Sequence, residues 1–314
     1  MKRAFLFPGQ GAQVVEMGKD IFDKYEEARE VYKKASDISG IDVNKLCFEG
    51  PEDLLNRTQY TQIAILTTSL AILKILENRG IGADVSVGLS LGEYAALIYA
   101  GIISFEDGIK LIKKRGYYME TLLPDEQYCM AAVIGLDSAK IEKICGEISE
   151  DGKFIVPANY NCAVQTVISG ELSAIDEAIE KLKDAGAKRV IKLNTSGPFH
   201  TCKLKEAKEA YEKELKEINF NKSSKVKVIK NLDGSYYDEK DDMVNVLSEH
   251  IINPVRFDKA IKLMKDESVE EYVEIGPGKA LTGFIKKDNK EAKIFNINSL
   301  ESLENYLNHV EEKK

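Results

Sequence analysis

The chain has 314 residues, of which 44% are hydrophobic and 31% are charged, and its net charge is −8. This is the balance of an ordinary soluble globular protein, and it excludes a disordered or fibrous chain. The negative charge argues against general binding to nucleic acid or to an anionic membrane, so any anionic partner has to meet a local basic patch.

The first 124 residues predict strands and helices of an α/β fold. Runs of apolar residues indicate buried strands, and apolar residues at helical spacing indicate amphipathic helices. In chain order we predict a strand at 3–7 that ends at the turn 8–11, helices at 21–35 and 62–76, a strand at 84–89, and helices at 92–100 and 104–123. Gly80 stands where the C-terminal end of the second helix is expected, and Ser104 is expected to cap the last one.

Residues 125–195 differ from the first 124 residues in the order of their predicted strands and helices. Strands at 129–136, 154–159, 164–169 and 189–193 are combined with helices at 138–149 and 173–185. The resulting βαββαβ order is that of the ferredoxin-like unit. We therefore predict a small subdomain at 125–195, inserted into a large α/β subdomain made of 1–124 and 196–314. Further strands of the large subdomain are expected near 226–230, 272–275 and 294–297.

Cysteine spacing and apolar stretches bear on the compartment. The five cysteines show neither a CxxC spacing nor a Cys–His metal spacing, which predicts reduced thiols and no metal site. The apolar run 4–7 stops at Pro8 and is too short for the core of a signal peptide. The apolar stretch 63–76 is shorter than the roughly 20 residues that span a bilayer. We therefore expect a cytoplasmic protein without a membrane span.

Residues 88–92, Gly-Leu-Ser-Leu-Gly, form a GxSxG motif between a predicted strand and a predicted helix. A tight strand-to-helix turn holds its serine in a strained conformation and leaves little room beside it, so it needs glycine at these positions. Such a turn exposes the hydroxyl of Ser90 and directs the amide of Leu91 toward the space in front of it. The motif indicates Ser90 as a candidate nucleophile, although the pattern also occurs by chance.

A serine nucleophile needs a base, and the chain has only three histidines. His309 lies in a polar terminal helix, where we expect a solvated side chain. His200 follows the last strand of the predicted insert, and His250 lies where a helix ends; in such places a histidine is commonly structural. We favour His200 as the base, because an insert that rejoins its parent domain lies over the cleft between them. His250 remains open as a rival base.

Arg115 lies on the apolar face of the predicted helix 104–123, four residues from Leu111 and four from Met119. A guanidinium on a buried face is costly unless an anion faces it. The anion could be an internal carboxylate, which is the commoner case, or the carboxylate of a substrate held by two parallel hydrogen bonds. The sequence leaves both alternatives open.

Six motifs stand in order along nearly the whole chain: FPGQGAQ at 7–13, GLSLGEY at 88–94, RG at 115–116, PFH at 198–200, NPVRF at 253–257 and EIGPG at 274–278. Together they resemble the malonyl-CoA:acyl carrier protein transacylases of bacterial fatty acid synthesis. The resemblance implies an acyltransferase with an α/β-hydrolase-like large subdomain and a ferredoxin-like insert. It also implies malonyl-CoA and acyl carrier protein as partners and no metal or redox cofactor. We expect a monomer.

The resemblance also implies a role for each site residue. Ser90 would be the nucleophile and His200 its general base. The backbone amides of Gln10 and Leu91 would form the oxyanion hole, and Arg115 would hold the malonyl carboxylate.

Three further residues are implied as support, and two positions depart from the family pattern. Asn161 would help to line the cleft, and Phe199 matches the form that the family associates with malonyl rather than methylmalonyl groups. Leu89 stands where the family commonly has histidine, and His250 where it commonly has glutamine. In the family a backbone carbonyl at the latter position orients the base. We expect His250 to serve in the same way, since a backbone role survives a change of side chain.

Two other functions fit part of the pattern. A serine thioesterase or hydrolase needs the same turn at Ser90, but it needs no Arg115 on an apolar face. A non-catalytic carrier-binding module would not need a serine, a histidine and both oxyanion donors together. Transfer of the acyl group, as opposed to its hydrolysis, distinguishes these functions.

A cluster of basic residues lies near the end of the predicted insert. The carrier protein of this family's pathway is small and strongly acidic, and a chain of net charge −8 repels it unless positive charge is concentrated near the cleft. Lys188, Arg189 and Lys192 lie on the last predicted strand of the insert, shortly before His200. We hypothesise that these three residues dock the carrier protein; ordinary solvated side chains are the alternative.

Overall fold

The computed structural model describes residues 2–195 and 197–313. It has a mixed α/β fold with two five-stranded sheets, and the α/β class predicted from the sequence is confirmed. The strands are β1 (Arg3–Phe7), β2 (Val85–Gly88), β3 (Tyr128–Ile134), β4 (Ile155–Cys162), β5 (Gln165–Glu171), β6 (Arg189–Leu193), β7 (Lys227–Val228), β8 (Val255–Arg256), β9 (Glu271–Ile275) and β10 (Lys293–Ile297). The helices are α1 (Lys19–Lys24), α2 (Glu26–Ser39), α3 (Val43–Glu49), α4 (Glu52–Leu55), α5 (Thr58–Asn78), α6 (Gly92–Ala100), α7 (Phe105–Thr121), α8 (Ser138–Glu150), α9 (Leu172–Asp184), α10 (Lys205–Leu215), α11 (Met243–Ile252), α12 (Phe257–Asp266), α13 (Ala280–Asp288) and α14 (Leu300–Glu311).

The first sheet is parallel, in the order β10-β9-β1-β2-β7. Alternate residues of β1 face opposite sides, and both sides are covered by helices, as a parallel sheet requires. Phe5 and Phe7 pack with the residues of α5, whereas Ala4 and Leu6 pack with α12 and α13. The strands β1, β2 and β9 all end at the same edge, which is where α/β sheets bind their ligands.

Helix α5 is the central helix of the larger core. It extends beyond the predicted range 62–76 at both ends, and it is followed by Gly80 in the left-handed region, as expected. Within the described ranges it is the one helix that is long and apolar enough to cross a membrane by length and composition. Because 83% of its most apolar window is buried inside the protein, we assign it to the core.

The second sheet has the order β6-β3-β5-β4-β8. Its first four strands pair antiparallel, and α8 and α9 cover one of its faces through Ala131, Val133 and Ile168. The opposite face contributes Met130, Ala132 and Val167 to the larger core. The short strand β8 comes from outside residues 125–195 and pairs parallel with β4, which the sequence does not predict.

Two expectations from the sequence are wrong in detail. The single helix predicted at 21–35 is two helices, α1 and α2, because Tyr25 between them has an extended backbone. Its ring lies 5.0 Å from the guanidinium carbon of Arg79, against the end of α5. His309, which was expected to be solvated, is partly buried, since its ring packs 4.5 Å from that of Phe295.

Candidate active site

The turn around Ser90 joins β2 to α6 and has the strand–turn–helix form that its motif predicts. Ser90 has a φ of 53°, in the left-handed region that residues other than glycine rarely occupy. A Cβ atom at Gly88 would lie 1.9 Å from the carbonyl carbon of Gly92, and one at Gly92 would lie 2.2 Å from the carbonyl oxygen of Phe7. Both glycines are therefore required by the close approach of one backbone segment to another.

His200 lies next to this serine. Its Nε2 atom is 2.8 Å from Ser90 Oγ, and its Nδ1 atom is 2.9 Å from the carbonyl oxygen of His250. Because a carbonyl only accepts, Nδ1 carries the proton, and the lone pair of Nε2 faces the serine hydroxyl. Burial lowers the pKa of the His200 imidazole well below its ordinary value of 6.5, and the neighbouring His250 and Arg115 lower this pKa further. The ring is therefore neutral at pH 7.

The rival histidine, His250, lies behind His200 in the last turn of α11. The two rings stack with 5.0 Å between their centroids. The carbonyl groups in the last turn of a helix have no partner within the helix, so the carbonyl of His250 is available to His200. Of the two candidate bases, His200 is the one that contacts Ser90.

Arg115 is 1% exposed and lies under the serine. Its Nη2 atom donates to Ser90 Oγ at 3.0 Å, its Nη1 atom donates to Gln62 Oε1 at 2.8 Å, and its guanidinium lies 5.7 Å from the centre of the Tyr94 ring. In residues 2–195 and 197–313, no carboxylate pairs with Arg115, and its Nε atom has no hydrogen-bond partner. The internal ion pair that the sequence left open is therefore not present in the part of the chain that the structure describes.

Ser90 and His200 line a cavity of about 760 Å³ between the two sheets. This volume is in the range of small-molecule sites. Asn161 and Phe199 also line the cavity, and they are 5% and 6% exposed. The Oδ1 atom of Asn161 has no hydrogen-bond partner among the described residues. The cavity wall includes the loop after β1, the turn after β2, strand β3, the end of β6 and the start of α13, through Gln10, Leu89, Met130, Leu193, Lys279 and Leu281.

Gln10 and Leu91 lie on the two chain segments nearest the serine. The register that pairs Phe7 with Gly88 brings the loop after β1 beside the turn. The loop packs tightly there, because a Cβ atom at Gly9 would lie 2.7 Å from the carbonyl oxygen of Leu89. No hydrogen bond within the described residues uses the backbone N–H of Gln10 or of Leu91.

Sequence reasoning missed three polar residues of the site. The Oδ1 atom of Asn231 accepts the backbone N–H of Ser90 at 2.8 Å, and its Nδ2 atom donates to the carbonyl of Gly88 at 2.7 Å. Gln62 holds Arg115, as described above, and Glu93 contacts both Asn231 and His250. Glu93 alone carries a local signal, since it is an ionisable residue in the otherwise apolar helix α6.

The predicted docking cluster is divided between the two faces of β6. Val190 packs with α8 and α9, whereas Leu193 lines the cavity. Strand alternation then places Arg189 on the cavity side and Lys192 on the opposite side, where Lys192 pairs with Asp176 at 2.5 Å. The residue before the strand, Lys188, is exposed.

The described ranges, 2–195 and 197–313, contain no group of three or more His, Cys, Asp or Glu side chains that could hold a metal ion. A serine hydroxyl in contact with a buried neutral imidazole, at the tip of a strand-to-helix turn, is typical of serine-dependent acyl-group transfer enzymes.

Comparison with known proteins agrees with this class. Residues 4–306 match the family described as acyl transferase domain. The malonyl CoA-acyl carrier protein transacylase of Staphylococcus aureus (strain COL) is 38% identical over 305 residues, which cover 97% of this chain and 98% of that protein. The protein of the same name from Bacillus subtilis is 38% identical over 303 residues, which cover 96% of this chain and 95% of that protein.

Solved structures give the same result. A crystal structure of malonyl CoA-acyl carrier protein transacylase from Clostridium perfringens has a TM-score of 0.94 and 45% identity, and the match covers 100% of this chain and 98% of that one. A malonyl-transacylase in complex with its type II PKS acyl-carrier protein has a TM-score of 0.94 and 33% identity, covering 98% and 100%. The chain therefore belongs to the acyl transferase family, in its group of malonyl CoA-acyl carrier protein transacylases.

Proposed function

We propose that this chain transfers the malonyl group from malonyl-CoA to the phosphopantetheine thiol of acyl carrier protein, through an ester on Ser90, and so supplies fatty acid chain elongation. The relatives described above carry this activity in their names. One observation supports the chemistry most directly. The hydroxyl of Ser90 lies within hydrogen-bond distance of a neutral imidazole, His200, and of a buried guanidinium, Arg115.

In the first half-reaction His200 is the general base and Ser90 the nucleophile. Nε2 takes the proton of Ser90 Oγ as this oxygen attacks the thioester carbonyl carbon, and Nδ1–H stays bonded to the carbonyl of His250. The oxyanion forms in front of the backbone amides of Gln10 and Leu91, and each such donor contributes about 3 kcal/mol to transition-state stabilisation. The C–S bond then breaks, and the leaving thiolate of coenzyme A takes the proton from His200 and becomes the thiol.

The second half-reaction reverses these steps with another thiol. His200 takes the proton of the phosphopantetheine thiol, the sulfur attacks the ester carbonyl, and Ser90 leaves with the proton. Nucleophile, base and oxyanion donors all belong to this chain, so we assign no cofactor to the reaction. Since the site needs no residue from a second chain, we infer that the protein acts as a monomer.

Arg115 holds the free carboxylate of the malonyl group in this proposal. The guanidinium is buried, it has an unpaired Nε atom, and no carboxylate of the described chain pairs with it. A substrate carboxylate in the cavity would supply the missing anion and would accept two parallel hydrogen bonds. Asn161 and Phe199 line the same cavity, and we assign them to the contact with the acyl group and its pantetheine arm.

We further propose that the fold is an α/β-hydrolase-like large subdomain, formed by 1–124 and 196–314, with a ferredoxin-like subdomain inserted at 125–195. The order β6-β3-β5-β4 and the two helices on one face support the second part. The parallel sheet with a serine turn after β2 supports the first.

The carrier protein is proposed to dock beside β6, at Lys188, Arg189 and Lys192. Leu193 at the end of this strand lines the cavity, so the strand ends at the cavity wall. Arg189 lies on the cavity side of the strand and is exposed, and we expect it to contribute more than Lys192, which has an acidic partner.

We also place the protein in the cytoplasm without nucleic acid or membrane partners, since its five cysteines are free thiols and its net charge is −8.

Malonyl-CoA labelling tests the proposed function. Wild-type protein incubated with malonyl-CoA is expected to gain one malonyl mass on the peptide that contains Ser90, and Ser90→Ala is expected to lose both the label and the transfer to carrier protein. Label on the exposed Cys202 would contradict the assignment. Release of free malonate in place of malonyl-carrier protein would favour the alternative, a serine thioesterase.

A further inference from the structure

Glu93 is a buried carboxylate to which the mechanism above gives no role. It lies one turn after Ser90 in α6, where eight of nine residues are buried, and it is 1% exposed. A carboxylate at such a position lowers stability unless several donors satisfy it. Its contacts therefore show which groups it holds in place.

One oxygen of Glu93 is connected to the serine turn. Oε1 accepts the backbone N–H of Asn231 at 2.9 Å and the hydroxyl of Tyr237 at 2.9 Å. The side chain of the same Asn231 bridges the backbone N–H of Ser90 and the carbonyl of Gly88. Glu93 thus anchors the residue that holds the strained turn in its left-handed conformation.

The other oxygen is connected to the proposed base. Oε2 of Glu93 lies 2.8 Å from Nδ1 of His250, whose side chain is 2% exposed. The carbonyl of His250 accepts the Nδ1–H of His200. Neither Oε2 of Glu93 nor Nε2 of His250 has a hydrogen-bond partner among the described residues, so the 2.8 Å contact is a close approach of the carboxylate to the ring and not an aligned hydrogen bond.

We propose that Glu93 is a positioning residue that holds both members of the Ser90–His200 pair, the serine through Asn231 and the histidine through His250. The inference rests on the roles proposed for Ser90 and His200. It gives the ring of His250 a function in this chain in addition to that of its backbone carbonyl. Because the carboxylate lies 2.8 Å from Nδ1 of His250, electrostatic attraction favours the tautomer with hydrogen on that nitrogen and keeps the ring beside His200.

Glu93→Gln tests this inference. The Oε1 atom of glutamine can still accept from Asn231 and Tyr237, but its amide nitrogen then faces His250. Two donors would oppose each other, and His250 has to reorient or move its proton to the buried Nε2. We expect the single-turnover rate of Ser90 malonylation to fall on the order of 10²-fold, as for a misplaced catalytic group. The concentration of malonyl-CoA that half-saturates this rate should stay unchanged, because Arg115 is not affected.

A matched control separates this effect from the general loss of a buried carboxylate. Glu271, on β9, is 0% exposed, and its side chain accepts hydrogen bonds from Arg3 and Tyr306. These contacts lie away from the serine turn. Glu271→Gln is expected to lower the melting temperature and to leave the acylation rate unchanged. Equal acylation rates in the two variants would overturn the role of Glu93.

Rescue by a second substitution gives an independent readout. In Glu93→Gln/His250→Gln the two amides can bond to each other, and the backbone carbonyl at 250 is kept. We expect the double variant to acylate faster than Glu93→Gln alone; the same or a slower rate would contradict the proposal. If Glu93→Gln does not fold, Glu93→Asp replaces it, since aspartate keeps the charge but is one methylene too short to reach both Asn231 and His250. A wild-type rate in Glu93→Asp would then overturn the proposal.

The residue that carries the malonyl group in the wild-type protein separates a failure of the proposed function from a failure of the positioning role. Label on a residue other than Ser90 overturns the proposed nucleophile. Label on Ser90, together with equal rates in the Glu93 and Glu271 variants, overturns only the positioning role.

Discussion

At the scale of single residues, Arg115 and His200 both lie within hydrogen-bond distance of the Ser90 hydroxyl. In the function proposed above, Arg115 acts in two ways. Its charge can bind the carboxylate of an acyl group, and it adds to the effect of burial and of His250, which lower the pKa of the His200 imidazole. In the proposed function, Arg115 therefore contributes both to the choice of substrate and to the protonation state of the base.

Arg115→Ala is expected to damage malonyl transfer and to spare or improve acetyl transfer. The charge-assisted contact exists only for an acyl group with a free carboxylate, and such a contact contributes about 1.5–3 kcal/mol. The measurement is kcat/KM for malonyl-CoA and for acetyl-CoA in the same variant. Arg79→Ala, which removes a partly exposed arginine paired with Glu27, is the control. An equal loss with both substrates would mean that Arg115 has a structural role.

The pH dependence of acylation is expected to follow the lowered pKa of His200. Its folded-state pKa lies well below 6.5, so the base stays neutral as the pH falls through 6.5, and activity is lost only at lower pH. Removing the positive charge in Arg115→Ala should move this acidic limb to higher pH. The readout is the rate of Ser90 acylation between pH 4 and 8, and a limb at or above pH 6.5 in the wild type would contradict the expectation.

The same shift has a consequence for stability. In the unfolded chain the His200 imidazole binds a proton near its ordinary pKa of 6.5, whereas in the folded chain it does not. The unfolded state therefore binds more protons below this pH, and the contribution of His200 to the free energy of unfolding decreases as the pH falls from 6.5 toward the folded-state pKa.

At the scale of elements, periodicity predicted the strands and helices that carry the site. The turn at Ser90 and the burial of Arg115 follow from local patterns, a GxSxG motif and a helical apolar face. The break at Tyr25 could not be predicted, because both flanking segments have helical spacing and the contact with Arg79 lies far along the chain.

The basic residues of strand β6 are close together in sequence but lie on both faces of the sheet. Neighbouring residues point to opposite faces, so Arg189 and Lys192 lie on different sides although only two residues separate them. A basic run on a strand therefore gives two half-sized patches, and only one of them faces the cavity.

Lys188→Glu/Arg189→Glu is expected to weaken the second half-reaction, with carrier protein, and to leave acylation by malonyl-CoA nearly intact. Rim charges act mainly on the encounter rate, so the wild-type advantage should also fade as salt is added. The control is Lys33→Glu/Lys34→Glu on α2, which makes the same change in net charge away from the cavity. Unchanged carrier kinetics at low salt in the first variant would place the docking surface elsewhere.

At the scale of the whole molecule, the contacts that complete the site join distant parts of the chain. Asn231 meets the backbone of Ser90 across 141 positions, and Glu93 meets Asn231 across 138. No local sequence pattern predicts either contact, because the sequence around an asparagine in a loop does not show whether its side chain holds a turn or faces solvent. Ser90, His200 and the carbonyl of His250 could be predicted from the sequence, whereas the contacts that Asn231 and Glu93 make around them could not.

The pairing of β4 with β8 determines how the two walls of the cavity are connected. Asn159 and Tyr160 of β4 stand opposite Val255 and Arg256 of β8, five residues after the carbonyl group that holds His200. Because this ladder joins the strand that precedes Asn161 to the segment that follows His250, we expect the gap between Asn161 and His200 to keep a nearly constant width. The cavity would then have a fixed size and would not open and close by a hinge movement. We expect a larger acyl group to be admitted when a side chain that lines the gap is shortened, and not by a movement of one sheet away from the other.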